Sequence, residues 1–281
     1  MLKVRKDMKR ILTIQDISCV GQCSLTVALP IISAFGIETA VIPTAVLSTH
    51  TAFNSYTFCD LTEELPKIEA KWQSENIKFD GFYTGYIGST KQIDYIVSIM
   101  DSCKKAGALK VVDPCMADNG KLYAGFASDF PKHMLDLCKK ADIIIPNLTE
   151  ACFLLDIECK EYSQEELEKI VKDLSEICDS DVVLTGVSFE NDKLGAMCYK
   201  KTNKAYAYYF TKRVPINFHG TGDCFASSFF GAMINGYDLG KAMAVACEFT
   251  YRAVEFTYAD HQEHWYGVHF EKALKYLTEL E

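Results

Sequence analysis

The sequence predicts an α/β fold: a three-layer α/β/α arrangement around a central, mostly parallel sheet, with an antiparallel hairpin at the sheet edge. Three observations carry this. Short apolar runs of strand length alternate with stretches whose apolar residues recur at helical spacing. Polar residues follow the apolar runs, at Asp16, Tyr86, Asp113, Asn147 and Thr185. That is where ligands gather in parallel sheets, outside the C-terminal ends of the strands. After Gly186 the rhythm changes, and two tyrosine-containing runs flank Lys200-Lys201-Thr202-Asn203-Lys204, the pattern of a hairpin.

Residues 1–8 read as a charged N-terminal extension. Ile11-Leu12-Thr13-Ile14 is the first strand, with Asp16 at its end. Gly21 and Ser24 open a helix over Leu25 to Phe35, closed by Gly36. Pro30 is expected to kink that helix or to mark its true start. Thr39-Ala40-Val41-Ile42 is a second strand running into the polar loop Ser48-Thr49-His50-Thr51. Asp60 or Thr62 caps the next helix, which carries Leu65, Ile68 and Trp72. Phe79 to Thr84 is a strand, and the helix after it presents Ile93, Ile96, Val97 and Met100 on one face.

Leu109 to Val112 is a strand ending in Asp113-Pro114, followed by a loop with Asp118, Asn119 and Gly120. A helix around Met134 and Leu137 leads to the strand Ile143-Ile144-Ile145, after which Thr149-Glu150 opens another helix. Ser163-Gln164-Glu165-Glu166 is a capping box before a further helix. Val182-Val183-Leu184 ends in Thr185-Gly186, and the hairpin is Gly195 to Tyr199 with Ala205 to Tyr209. With no linker, low-complexity segment or repeat in 281 residues, the chain reads as one domain.

Composition narrows the function. Net charge is −9 with both signs interspersed, which argues against nucleic acid as the main partner. No apolar stretch approaches the length of a membrane helix, and the N-terminus lacks the apolar core of a signal peptide. The 12 cysteines show no Cys-x-x-Cys and no repeating spacing, so free thiols in a reducing cytoplasm are expected. His261, His264 and His269 lie close together near the end. They are candidates for a metal site, against which the absence of a nearby cysteine and of helix spacing speaks.

The chemistry centres on Phe218-His219-Gly220-Thr221-Gly222-Asp223-Cys224, followed at once by an apolar, small-residue run that reads as a buried helix. The first N–H groups of a helix lack internal acceptors and carry its positive end. Gly220 and Gly222, without Cβ atoms, allow an anion close to that backbone. Asp223 then stands beside a phosphate-sized hole. The plainer alternative is a tight turn with Asp223 as a helix cap.

Six stretches in order extend this. They are Ser24 to Pro30, Ser48-Thr49-His50-Thr51, Tyr83-Thr84-Gly85-Tyr86, Val112-Asp113-Pro114, Ile145 to Glu150, and Gly220-Thr221-Gly222-Asp223. Through them the chain, from Ile11 to about Phe270, resembles the ribokinase-like superfamily and within it the vitamin B6 kinases, pyridoxal/pyridoxamine kinase. The resemblance implies ATP-dependent phosphorylation of the 5′-hydroxyl of a B6 vitamer in the cytoplasm, by a homodimer without the lid of the sugar kinases. Asp223 is implied as the base, with Gly220, Thr221 and Gly222 as the anion hole. A free aspartate is ionised at neutral pH and a weak base, so it is expected to take the proton late.

Asp113, Asp118 and Glu150 are implied as holders of Mg²⁺, with a monovalent cation such as K⁺ as a further candidate. Asn147, Thr185 and Gly186 are placed against the nucleotide. Asp16, Cys23, His50, Thr51 and Tyr86 are placed against the substrate. Helix caps and strand-end turns compete for the acidic residues, and a half-buried core aromatic competes for Tyr86. Asp16 departs from the serine often found there; it would pair with a ring nitrogen or an amine, or with sugar hydroxyls. Two other functions stay open: a kinase for the hydroxymethylpyrimidine precursor of thiamin, and a non-catalytic vitamer- or nucleotide-binding protein. Retention of both glycines with Asp223, Asn147 and Glu150 speaks against the last.

Overall fold

The computed structural model describes residues 8–260 and 264–280. The rest of the expected N-terminal extension, 1–7, and His261 lie outside the described residues. The strands are β1 (Arg10–Ser18), β2 (Glu38–Leu47), β3 (Phe58–Asp60), β4 (Phe79–Thr84), β5 (Lys104–Val112), β6 (Ala117–Asp118), β7 (Lys121–Leu122), β8 (Ile143–Ile144), β9 (Asp181–Val187), β10 (Lys193–Lys200) and β11 (Ala205–Lys212). The helices are α1 (Leu25–Ala34), α2 (Leu65–Ser74), α3 (Thr90–Ser102), α4 (Phe130–Cys138), α5 (Leu148–Leu155), α6 (Gln164–Cys178), α7 (Thr221–Ile234), α8 (Leu239–Ala259) and α9 (Leu274–Thr278).

Nine strands form one sheet in the order β11-β10-β9-β8-β5-β4-β1-β2-β3. Its interior pairings, β2-β1-β4-β5-β8-β9, are parallel. The expected hairpin β10–β11 closes one edge in antiparallel register, Lys193 opposite Lys212. The other edge carries a strand that no sequence pattern marks: β3 pairs antiparallel with the end of β2. β3 is three residues long with every position exposed, so it has no alternating pattern to find.

The strand period of two sends alternate side chains to opposite faces. Leu12, Ile14, Phe82, Val112 and Ile144 face one core, covered by α2 to α6. Ile11, Tyr83, Val111, Ile143 and Val183 face the other, covered by α1, α7, α8 and α9. A strand covered on both faces is apolar throughout, and β1 is buried from Ile11 to Gln15. That accounts for its true length. It continues past Ile14 to Ser18, so Asp16 lies within the strand, against the expectation that it follows it.

Other expected boundaries move for local reasons. Pro30 does not start α1; it sits inside it and leaves the Thr26 carbonyl without its helical donor. A short 3₁₀ turn (Thr62–Glu64) comes first, with Leu61 at its cap position; Asp60 accepts from the Thr62 N–H at 2.8 Å and its hydroxyl at 2.5 Å. The α2 helix begins only after that turn. The Ser163–Glu166 capping box forms as expected at α6, and a second one, Asn147–Glu150, opens α5.

Candidate active site

At the C-terminal end of the sheet, α7 begins one residue after a sharp turn. Gly220 has φ +83°, and a Cβ there would lie 1.8 Å from the Gln22 carbonyl oxygen. Only glycine fits that approach. A Cβ at Gly222 would meet nothing within 4 Å, so this position is open to whatever occupies the cleft. Thr221 Oγ1 donates back to the Phe218 carbonyl at 3.4 Å. The first N–H groups of α7 lack acceptors inside the helix.

Asp223 stands in that first turn. Desolvation pushes its carboxyl up to about 7; the Ser24 backbone N–H bonded to it pulls down, and the nearby Asp16 charge pushes up. Burial thus moves this carboxyl from the ordinary carboxylate range toward neutrality. Ser24 is held in place in turn. Its φ is +53°, a conformation that costs a non-glycine residue about 1–3 kcal/mol. Its hydroxyl donates to Asp16 Oδ1 at 2.5 Å, leaving the α1 terminus without a side-chain cap. Ser18 Oγ donates to Asp16 Oδ2 at 3.1 Å. Asp16, Ser24 and Asp223 thus form one polar string, and burial raises the Asp16 carboxyl.

Facing Asp223 are two further carboxylates. Asp113 follows β5, and its N–H extends the ladder to the Thr84 carbonyl at 3.0 Å. Burial, then the Glu150 charge, then the Asp223 charge all push its carboxyl well up. Glu150 is 3% exposed. It accepts from the Asn147 N–H at 2.9 Å and the Met116 N–H at 3.2 Å, and burial still pushes it up to about 8. Asp113 thus lies in electrostatic range of both Glu150 and Asp223, and carboxylate oxygens are the ligands a hard divalent cation takes. Asp118 is at the exposed tip of the β6–β7 hairpin, where its two oxygens accept from the N–H and Nδ2 of Asn119 at 2.8 and 3.0 Å. It reaches Glu150 electrostatically, raising it.

The proposed nucleotide-side residues adjoin this group. Asn147 Oδ1 accepts from the Glu150 N–H and its Nδ2 donates to the Ala117 carbonyl at 2.8 Å. One Nδ2 hydrogen remains for a ligand. Thr185 bridges to Asn147 in the sheet, and Gly186 is exposed with φ +71°.

Of the residues expected to meet the substrate, His50 is buried, donating from Nε2 to the Tyr266 carbonyl at 2.8 Å and accepting from the Ala52 N–H at Nδ1, 3.2 Å away. Both ring nitrogens hold backbone, so only the ring is left for a ligand. Thr51 is exposed beside it. Tyr86 is half-buried, rests on Phe126 at 5.6 Å between centroids, and lies in electrostatic range of Asp16. Burial, then the Asp223 and Asp16 charges, push the Cys23 thiol up to about 12; it is a neutral wall and no thiolate. Sequence reading missed His219, 5.1 Å from His50, and Phe53, Trp265 and Tyr266, which pack around it. These aromatics come from three separate segments, and no local pattern joins them.

A parallel sheet with a glycine-lined helix start, a buried carboxyl inside that helix and further acids nearby is the arrangement of a small-molecule kinase of the ribokinase-like class. A family model described as phosphomethylpyrimidine kinase matches residues 29–268. A pyridoxal kinase from Lactobacillus plantarum is 31% identical, with TM-score 0.90 over 96% of this chain and 97% of that one. A protein from Bacteroides thetaiotaomicron assigned to the phosphomethylpyrimidine kinases, solved with pyridoxal, is 36% identical, with TM-score 0.92 over 96% of each chain. A Leishmania donovani pyridoxal kinase solved with ADP and pyridoxamine shares the fold at 19% identity, TM-score 0.87, over 96% of each. The chain belongs to the phosphomethylpyrimidine kinase family, on its vitamin B6 kinase side.

Proposed function

We propose that this chain moves the γ-phosphoryl group of ATP to the 5′-hydroxyl of a B6 vitamer. The observation that carries this reading is the Asp223 carboxylate, set in the first turn of α7 beside open Gly222 and raised to about 7. Asp223 accepts the hydroxyl proton as the loose transition state forms, and the α7 terminus faces the charge on the transferring group. Asp113 and Glu150, with Asp118 beyond them, hold Mg²⁺, which neutralises phosphate charge when bound. Asn147, Thr185 and Gly186 line the nucleotide side. A monovalent cation such as K⁺ fits the same acidic surroundings. The likeness to a pyridoxal-bound structure favours pyridoxal over hydroxymethylpyrimidine. ADP release with Mg-ATP against pyridoxal, pyridoxamine, pyridoxine, hydroxymethylpyrimidine and ribose tests this. Release above background with a vitamer is expected; release only with hydroxymethylpyrimidine or ribose overturns it.

A free carboxylate at Asp16 would favour the protonated amine of pyridoxamine over pyridoxal. With both oxygens bonded to Ser18 and Ser24, its first task is to hold the Ser24 N–H on Asp223. Asp16→Ser is therefore expected to lower kcat/KM for pyridoxal and pyridoxamine together, by about tenfold or more, the scale of one charge-assisted hydrogen bond. A loss confined to pyridoxamine would restore the specificity role.

The whole chain is proposed to act as one domain around its single large sheet, and as a homodimer. The free edge of β3, with Phe58 51%, Tyr56 45% and neighbouring Val20 52% exposed, supports an interface there. Phe58→Asp should convert dimer to monomer in sedimentation equilibrium; a dimer that persists places the interface elsewhere. Among the described residues, no helix is long and apolar enough to cross a membrane.

A further inference from the structure

Away from the cleft, the end of α8 and the segment leading to the final helices bring three metal-ligating side chains together. Asp260, His264 and His269 each offer one ligand atom, and all these atoms lie within 4.8 Å of one another. His269 Nε2 is 3.3 Å from Asp260 Oδ2. It is buried without a hydrogen-bond partner. Two ligands about 2.0–2.1 Å from a tetrahedral ion stand about 3.3 Å apart. The rings of His264 and His269 are 3.5 Å between centroids. We propose that Asp260, His264 and His269 form a binding site for a divalent cation of the zinc class, with water completing the shell.

Two imidazoles and one carboxylate suit zinc, whereas the all-carboxylate group of the cleft suits a hard cation. One group competes: Lys272 Nζ donates to Asp260 Oδ2 at 2.7 Å. An ion must displace that ammonium or share the carboxylate with it, which sets the sign of one test below.

The site's position gives it a use. Between its ligands the chain places Trp265 and Tyr266 against Phe53, at 4.5 and 6.2 Å between centroids. The Tyr266 carbonyl accepts from His50. An ion joining Asp260 to His264 and His269 fastens this strap over the His50 loop. That consequence rests on the proposed substrate side of the cleft; the metal site itself does not.

The test is calorimetric titration of the full, untagged chain with Zn²⁺ in excess Mg²⁺, which fills the carboxylate site. The wild type is expected to show a site that His264→Gln and His269→Gln each weaken by at least about tenfold. Lys272→Ala should tighten it. Zn²⁺ should raise the melting temperature of the wild type and not that of His264→Gln, whose part-exposed side chain makes misfolding an unsuitable explanation. Equal titrations of wild type and His264→Gln overturn the proposal, whatever the outcome of the kinase assay. A site that survives in His264→Gln but is lost on thiol alkylation belongs to the cysteines and also overturns it.

Discussion

Asp223→Asn is expected to lower kcat by about 10²–10⁴-fold, the range for a positioned general base. The vitamer KM should change little, because the lost interaction belongs to the transition state. The amide keeps the size of the carboxylate, so a fold change does not intervene. The same substitution should make the chain more stable. The Asp223 carboxyl is raised to about 7 by burial, so between about pH 4 and 7 the folded chain holds a proton the unfolded chain has lost. Its stabilising contribution is present below the unfolded value and fades as pH rises through that window. Above it the buried charge is a cost, which the asparagine removes. Melting temperatures of both proteins at pH 5 and pH 8 check this: the variant's advantage should appear at pH 8 and shrink at pH 5. The acid limb of wild-type kcat/KM should also lie near pH 7, with activity falling below it. A folded variant with near-normal kcat would return Asp223 to the role of a helix cap.

The second large effect separates two glycines only two residues apart. Gly220→Ala forces a Cβ to 1.8 Å from the Gln22 carbonyl oxygen in a left-handed backbone. The conformation alone costs about 1–2 kcal/mol, and the contact requires the Gln22 segment to move. Since Ser24 on that segment holds Asp223, both melting temperature and kcat should fall. At Gly222 an added Cβ meets nothing within 4 Å. Gly222→Ala should keep the wild-type melting temperature yet lower kcat/KM for ATP by about tenfold or more, which is about 1.4 kcal/mol. Equal loss of stability in both variants, or full activity in Gly222→Ala, would contradict the anion-hole assignment.

The contrast between these residues and their surroundings shows what sequence can carry. Gly220, Gly222 and Asp223 are contiguous, and their chemistry follows from sitting at a helix start, so they were legible. So was the parallel sheet, because its buried strands are mostly apolar runs separated by helical spacing, although Asp16 and Thr185 lie within β1 and β9 and not after them. Glu150 was legible as an acid, yet its bond from the Met116 N–H needed the segment before β6 folded back onto α5. The string from Asp16 through Ser24 to Asp223 joins positions far apart in the chain; nothing local signals that the Ser24 hydroxyl turns to Asp16 rather than capping α1. The poised acidity of Asp223 was missed for the same reason, since burial is a property of the assembled cleft. The aromatic group around His50 draws on loops near 50, 219 and 265, and the exposed β3 has no period to detect.

Phosphoryl transfer to a vitamer is visible in the products by ³¹P NMR. With Mg-ATP and pyridoxal, the wild type should give a phosphate monoester on the hydroxymethyl carbon in step with ADP, and Asp223→Asn should give almost none. Inorganic phosphate in place of the ester, at a rate indifferent to pyridoxal, would contradict the account.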